Sequence, residues 1–405
     1  MVNPTSIDTP SHVTPKQFVD FDMYDPCKGG TDLYTGWQTL QKESIPDIVW
    51  TPKNGGHWIP TKSDIISEVM RDYERFSSRT IIIPKSNGAD HNLIPTTLDP
   101  PEHRPFRMLL NNNLAWPRIQ HIEPAIRSTA IELIENVRKK GRCNFTNEYA
   151  EHFPLRIFIS LMGLPLEEAP RAKVLVDKMM RPDGTISFAA AMQQLFDYLE
   201  PFVDDRRGGD GGDVISHLVN AEVGDRIISK QEAMKLTVQL LIAGLDTVVN
   251  FLGFVMLHLA TNKQHQSQLR NDPGLIPEAV EELLRRFPIV TVAREVVADM
   301  EFHGASLKAG DMIATPTPLW GWEENKITCP MDVDFKRKNK KHLSFGTGHH
   351  FCPGRDLARA EIRVTLEEWM KRIPEFSLAN DEGISYGSGI VAVVDKLQLN
   401  WNVDN

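Results

Sequence analysis

Apolar residues recur at helical spacing through most of the chain and lose that rhythm near its start. From Ser63 to Phe76, the residues Ile65, Ile66, Val69, Met70 and Tyr73 share one face of a 3.6-residue period, which predicts a helix. Helical patterns dominate again from about 102 to 205. A long helix is expected from Ser229 to Thr261, and another from Leu275 to Phe287, stopped by Pro288. Past Arg355, the residues Ala358, Ile362, Leu366 and Trp369 step by four and three, so a further amphipathic helix begins there. Residues 1–60 are rich in Pro and Gly with short apolar bursts such as Ile48-Val49-Trp50, and read as loops and short strands. Residues 80–101 are broken by Pro84, Pro95, Pro100 and Pro101, and strand-like pieces occupy the stretch from 288 to 318. The run from Arg206 to Asp213 is a glycine-rich surface loop with no strand before it, so it is not a phosphate cradle. The expected class is mainly α with small β-sheets.

Composition narrows the functional classes. The 405 residues carry a net charge of -9, which argues against nucleic-acid binding as the main role. Leu240 to Ala260 is long and apolar enough to mimic a membrane span, but Asp246, Asn250 and His258 interrupt it, and a buried core helix is expected instead. The first twenty residues hold Pro4, Pro10 and Pro15 and no apolar run, so no signal peptide is expected. The four cysteines (Cys27, Cys143, Cys329, Cys352) are scattered without a CxxC pair, which fits a reducing cytoplasm.

Cys352 changes the picture. It closes Phe345-Gly346-Thr347-Gly348-His349-His350-Phe351-Cys352-Pro353-Gly354-Arg355, a glycine-punctuated turn leading into a helix. Glycines let the backbone fold tightly and turn N–H groups toward a sulfur. Amide donors and a positive helix end favour thiolate over thiol, and a thiolate with a basic neighbour, His350, suits an axial ligand of haem iron. The segment resembles the Phe-x-x-Gly-x-(His/Arg)-x-Cys-x-Gly loop of the cytochrome P450 family. Phe345, Gly348, His350, Cys352 and Gly354 fit it.

The resemblance implies one domain over residues 1–405 with the triangular haem-thiolate prism of that family. It implies haem b held by Cys352, with Phe345 beside it and His350, His103, Arg107 and Arg294 toward the propionates. Guanidinium forks suit those carboxylates. A second constellation, Ala243-Gly244-Leu245-Asp246-Thr247, sits inside the long helix. Gly in mid-helix costs about 1 kcal/mol relative to Ala, and Thr can bond back to the carbonyl four residues earlier, so the trio suggests a local opening of the helical ladder. The plainer alternative is a glycine that lets helices pack closely. The resemblance implies that Thr247 holds dioxygen and that Asp246 gates its proton supply, with Lys173 and Arg181 as salt-bridge partners of Asp246. Glu282 and Arg285 match a buried scaffold pair.

Similarity to the soluble bacterial camphor hydroxylases covers almost the whole chain and implies dioxygen activation with electrons from a [2Fe–2S] ferredoxin and its reductase. The basic run Lys336-Arg337-Lys338-Asn339-Lys340-Lys341, with Arg104, Arg107 and Arg355, forms a candidate docking patch for an acidic donor. The departures fall where substrate sits: His91 replaces a tyrosine, Ile82 a phenylalanine and Gln239 an apolar residue, while Arg79 stands in place of an acid at a cation site. The expected pocket comprises His91, Ile82, Leu93, Met180, Phe188, Gln239, Val290, Ile390 and Val391. Such a pocket suits a compact terpenoid such as 1,8-cineole, camphor or a norisoprenoid ketone. A monomer without membrane or nucleic-acid partners is expected. Two other readings stay open: a haem-thiolate sensor without catalysis, and a peroxygenase fed by hydrogen peroxide.

Overall fold

The computed structural model describes residues 7–28, 32–88, 92–180, 185–323, 326–379 and 384–403. Five helices fill the region read as helical: His103–Asn113, Trp116–Arg138, Phe153–Leu161, Ala169–Met180 and Phe188–Arg206. The long helix runs Lys230–Thr261. Ser229 caps it, its hydroxyl accepting the Glu232 N–H while the Glu232 carboxylate accepts the Ser229 N–H. In the most apolar window of this helix 78% of residues are buried inside the protein, so its hydropathy serves the core. Two further helices, Ile276–Arg286 and Arg355–Arg372, bracket the C-terminal third.

The first expected helix is shorter than its periodicity suggests, Ser63–Arg71. The Asp72 carboxylate accepts the Arg75 N–H at 3.1 Å, an Asx turn that competes with the helical ladder and hands the chain to the strand Phe76–Ser77. A short helix, Leu33–Gln38, lies in the stretch read as loops. Asp32 nucleates it by accepting the Tyr34 N–H at 3.0 Å.

The main sheet has the order Ile48–Thr51, His57–Pro60, Met312–Pro316, Thr291–Val296 and Phe76–Ser77. All neighbours are antiparallel except His57–Pro60 with Met312–Pro316, which are parallel. A three-stranded antiparallel sheet joins Phe376–Leu378, Gln398–Trp401 and Arg142–Asn144. A small apolar cluster including Trp50, Trp58, Val69, Phe76 and Ile313 lies at the main sheet; a far larger one surrounds the long helix.

Charged pairs set the frame around the C-terminal helix. Arg127 of Trp116–Arg138 reaches Glu367 and Glu368 of Arg355–Arg372, and Arg363 reaches back to Glu123 at 2.7 Å. Glu282 and Arg285, both fully buried, form a two-pronged pair at 2.8 Å on each prong. Arg285 also donates to Pro330 O and Asp332 O, and Arg337 donates to Glu282. This network clamps the meander of residues 328–337 onto helix Ile276–Arg286. Arg337 is thereby a scaffold residue and not a free member of the basic run.

Candidate active site

Between the long helix and the Cys352 turn lies a cavity of about 350 Å³. The turn is held by backbone bonds: Cys352 N–H to Phe345 O at 2.8 Å, Gly346 N–H to Leu343 O and Phe351 N–H to Gly348 O. Gly348 has φ +74, and a Cβ there would stand 2.9 Å from Met70 O, so both conformation and space demand glycine. Gly354 caps Arg355–Arg372. Cys352 and Phe345 line the cavity, and the guanidinium of Arg359 lies 4.7 Å from the Phe345 ring centre. Burial raises the pKa of the Cys352 thiol, against the opposing pull of the Gly354 N–H and of Arg107, Arg355 and Arg359. The donors expected to favour thiolate are present, but desolvation outweighs them until a cation meets the sulfur.

The cations beside Cys352 differ from one another. Arg294 is buried and lines the cavity; its Nη1 donates to Ala293 O, its Nε has no partner, and it has no ion pair among the described residues. Burial lowers its pKa to about 10. Arg107 also lines the cavity and, among the described residues, donates to the neutral acceptors Phe351 O and Asn111 Oδ1. His350 is a correction. Burial, then Arg294, His349, His103 and Arg107, hold its pKa well below the ordinary value, so it is neutral and not a basic neighbour of the sulfur. Its Nε2 donates to Leu98 O at 3.1 Å. His103 sits one layer behind the wall, its ring 4.5 Å from that of His350, with both ring nitrogens unpartnered.

On the opposite wall, Ala243, Gly244, Thr247 and Val248 face the cavity. The long helix is unbroken there, so the expected opening of its ladder is absent. A Cβ on Gly244 would lie 2.4 Å from the Phe158 ring, and the glycine exists for close helix packing. Thr247 Oγ1 donates to Ala243 O at 3.3 Å, a long bond that leaves the hydroxyl available to the cavity. Asp246 is buried on another face of the helix, beside a small pocket it shares with Lys173, Glu151 and Asp177. Lys173 pairs with Asp177 and with Glu151 at 3.5 Å and makes no salt bridge to Asp246. Asp177 stands one turn along from Lys173 on the same helix and captures its ammonium locally. Arg181 lies outside the described residues.

Of the expected pocket residues, Gln239 and Val290 line the cavity. His91 and the side chain of Met180 lie outside the described part of the chain. Leu93 is packed in the main core and Phe188 packs against it in the first turn of its helix. Ile81 takes the place expected of Ile82: its carbonyl accepts the Ala293 N–H at 2.9 Å, which sets that residue on the wall. Ile390 and Val391 act one layer back, where Ile390 O accepts the Thr291 N–H and Val391 bridges Val290. Glu361, unremarked in the sequence, also lines the cavity; burial raises its pKa to about 8, so it is protonated at neutral pH. Its spacing from Ala358 and Leu357 was a legible signal. Phe158, Leu110 and Leu114 on the wall had none, because their approach is set by helix packing alone.

Of the basic patch, Arg104, Lys338 and Lys341 are exposed. Lys340 pairs with Glu278 at 2.6 Å, and Arg355 stacks 4.9 Å from the exposed Phe351 ring.

This combination of a cysteine-lined wall, an apolar cavity and two arginines without carboxylate partners fits a planar cofactor bearing carboxylates. The comparisons agree. Residues 274–382 match the Cytochrome P450 family profile. The probable cytochrome P450 127A1 of Sinorhizobium fredii is 32% identical, with 97% of this chain and 96% of that protein aligned. The crystal structure of CYP101J2 superposes with a TM-score of 0.93 at 42% identity, covering 98% of this chain and all of that one. CYP101C1 gives a TM-score of 0.91 at 36% identity, with 98% and 100% coverage. The chain therefore belongs to the cytochrome P450 family of monooxygenases and has its fold. Members of that family bind haem b through a cysteine thiolate.

Proposed function

We propose that this protein hydroxylates an unactivated C–H bond in a small, mostly apolar terpenoid, using dioxygen and two electrons from a [2Fe–2S] ferredoxin. The observation that carries the reading is the apolar cavity between Cys352 and the turn bearing Thr247, with Arg294 and Arg107 unpaired beside it. Cys352 would ligate the haem iron, Phe345 would pack beside the sulfur, and Arg107 and Arg294 would meet the propionates. His350, neutral and with its one N–H on Leu98 O, would reach a propionate only by giving up that bond, with His103 beside it. The haem, when bound, supplies reductive activation of dioxygen and transfer of one of its atoms to carbon. The chain supplies a proton at Thr247 Oγ1, fed from the side of the helix where Asp246 lies. Apolar residues Ile81, Leu240, Val248, Val290 and Val292 exclude water and hold the substrate by shape.

Gln239 is the polar handle of this wall. Its Oε1 is buried without a partner, and its amide can meet a substrate hydroxyl, carbonyl or ether oxygen. A ferredoxin would dock around Phe351 and the exposed cations Arg104, Lys338 and Lys341, with Arg107 and Arg355 beneath. This reading takes the protein as a cytoplasmic monomer of a single domain. The test is a titration of the ferric holoenzyme with 1,8-cineole, camphor and a norisoprenoid ketone, following the low- to high-spin shift. Hydroxylated product from a shifting ligand, formed only with a ferredoxin and reductase, supports the proposal. No shift with any of the three removes the terpenoid assignment, and turnover with peroxide alone replaces the ferredoxin route.

A further inference from the structure

A second cavity of about 180 Å³ shares no wall residue with the first. Tyr34, Phe254, Leu257, Arg286, Phe287 and Tyr386 form much of its lining. Its polar groups are unevenly provided for. The guanidinium of Arg286 lies over three rings, 5.1 Å from the centre of Tyr34, 4.7 Å from Phe287 and 5.8 Å from Trp322. Contact with ring faces stabilises the cation but gives its in-plane N–H groups no acceptor. Arg286 Nε donates to Met331 O at 2.6 Å, while Nη1 is buried with no partner. No carboxylate pairs with Arg286 among the described residues. Tyr34 is only 3% exposed and its hydroxyl is equally without a partner.

Tyr386 adds a third hydroxyl to this lining, Asp32 sits near enough to act on Arg286 by its charge, and the remaining polar groups are engaged. The Asp32 carboxylate accepts from the Tyr34 N–H and the Thr35 hydroxyl. His258 bonds to His265 at 2.8 Å, and the Thr261 hydroxyl donates to Leu257 O and His258 O. Tyr34 and Arg286 thus hold buried, idle donors, one of them cationic, above an apolar floor of Phe254, Leu257, Phe287, Met331 and Val333. A buried donor without an acceptor keeps its desolvation cost uncompensated, and a guanidinium edge matches a carboxylate.

We propose that this cavity is a binding site for a small monocarboxylate with a flat apolar body. The carboxylate takes Arg286 and Tyr34, and the body lies among Phe254, Phe287 and Tyr386. The test uses 4-fluorobenzoate and fluorine NMR on the haem-loaded protein, with 4-phenylimidazole present to fill the first cavity. Saturable line broadening is expected, absent for 4-fluorobenzyl alcohol. Arg286→Gln should weaken binding by at least about tenfold, and Tyr34→Phe by about fivefold, the size of one neutral hydrogen bond. Tyr34→Phe removes only a partnerless hydroxyl, so this variant should melt no lower than the wild type. Absence of broadening, displacement by 4-phenylimidazole, or full affinity in Tyr34→Phe would each overturn the assignment.

Discussion

The two walls of the larger cavity are built by opposite means. Behind Cys352, charges are tied together: Arg359 grips Glu281 with two bonds, Arg285 and Arg337 share Glu282, and Arg127 holds Glu367 and Glu368. The wall bearing Thr247 presents alanine, glycine, aliphatic and phenylalanine side chains, with the Thr247 hydroxyl and the Gln239 amide as its polar groups. Removing one member of a buried charged network strands its partners, so the first wall is fixed to a single geometry. An apolar wall tolerates volume-conserving exchange. The first therefore positions a cofactor and the second can change its ligand.

The sharpest break of this contrast is Cys352→Ser. Turnover should fall by at least about a thousandfold, and the reduced carbonyl complex should lose its thiolate-type absorption, because a hydroxyl cannot donate electron density as a thiolate does. Retention of that absorption would remove Cys352 from its assigned role.

Glu361 tests the same side by pH. Its carboxyl keeps its proton to about pH 8 in the folded protein. An unfolded glutamate releases it near 4.3. Between those values the unfolded state gains by ionising and the folded state does not, so this residue's contribution to stability declines as pH rises through that window. Glu361→Gln should therefore match the wild type near pH 4.5 and exceed it by about 3 kcal/mol at pH 7, at equal haem loading. Parallel denaturant midpoints at the two pH values would show a carboxylate already ionised in the fold.

The opposite wall is tested by Thr247→Ala. Loss of a positioned proton donor should cut product by roughly a hundredfold, the lower end of general-acid effects. Oxygen consumption should continue, diverted to hydrogen peroxide. Undiminished product per oxygen consumed would exclude a proton role for Thr247 and return weight to a peroxide-fed enzyme.

Gly244→Ala separates packing from chemistry on that wall. The added methyl meets the Phe158 ring, and overpacking of this kind costs about 1–3 kcal/mol. Melting should drop by several degrees while coupling of oxygen to product stays intact. The sequence offered two meanings for this glycine, an opened ladder and a close approach, and composition cannot choose between them. The choice rests on a ring eighty-six residues away. The same division explains what was legible elsewhere. The Cys352 turn and the long helix are local patterns, so they read directly from spacing, while the buried Glu282–Arg285 pair came only through the family resemblance. Lys173 bound to Asp177 is an i,i+4 pair that spacing does record and the resemblance passed over, whereas Ile81 in place of Ile82 and the neutrality of His350 depend on tertiary neighbours and burial.

Gln239→Leu gives the smallest and most discriminating effect. Gln239 brings polarity to the wall, His91 is a residue that the resemblance implies at the pocket and that lies outside the described residues, and variants at the two positions separate their contributions. A single neutral hydrogen bond contributes about 1 kcal/mol net, so Gln239→Leu should weaken the spin shift of an oxygenated terpenoid by about fivefold. A hydrocarbon of the same shape should bind the variant equally well or better, because the partnerless amide oxygen no longer has to be buried. If His91→Phe instead produces the fivefold loss and Gln239→Leu none, the polar anchor belongs to the segment around residue 91. If neither responds, shape alone selects the ligand, and the apolar wall is plastic throughout.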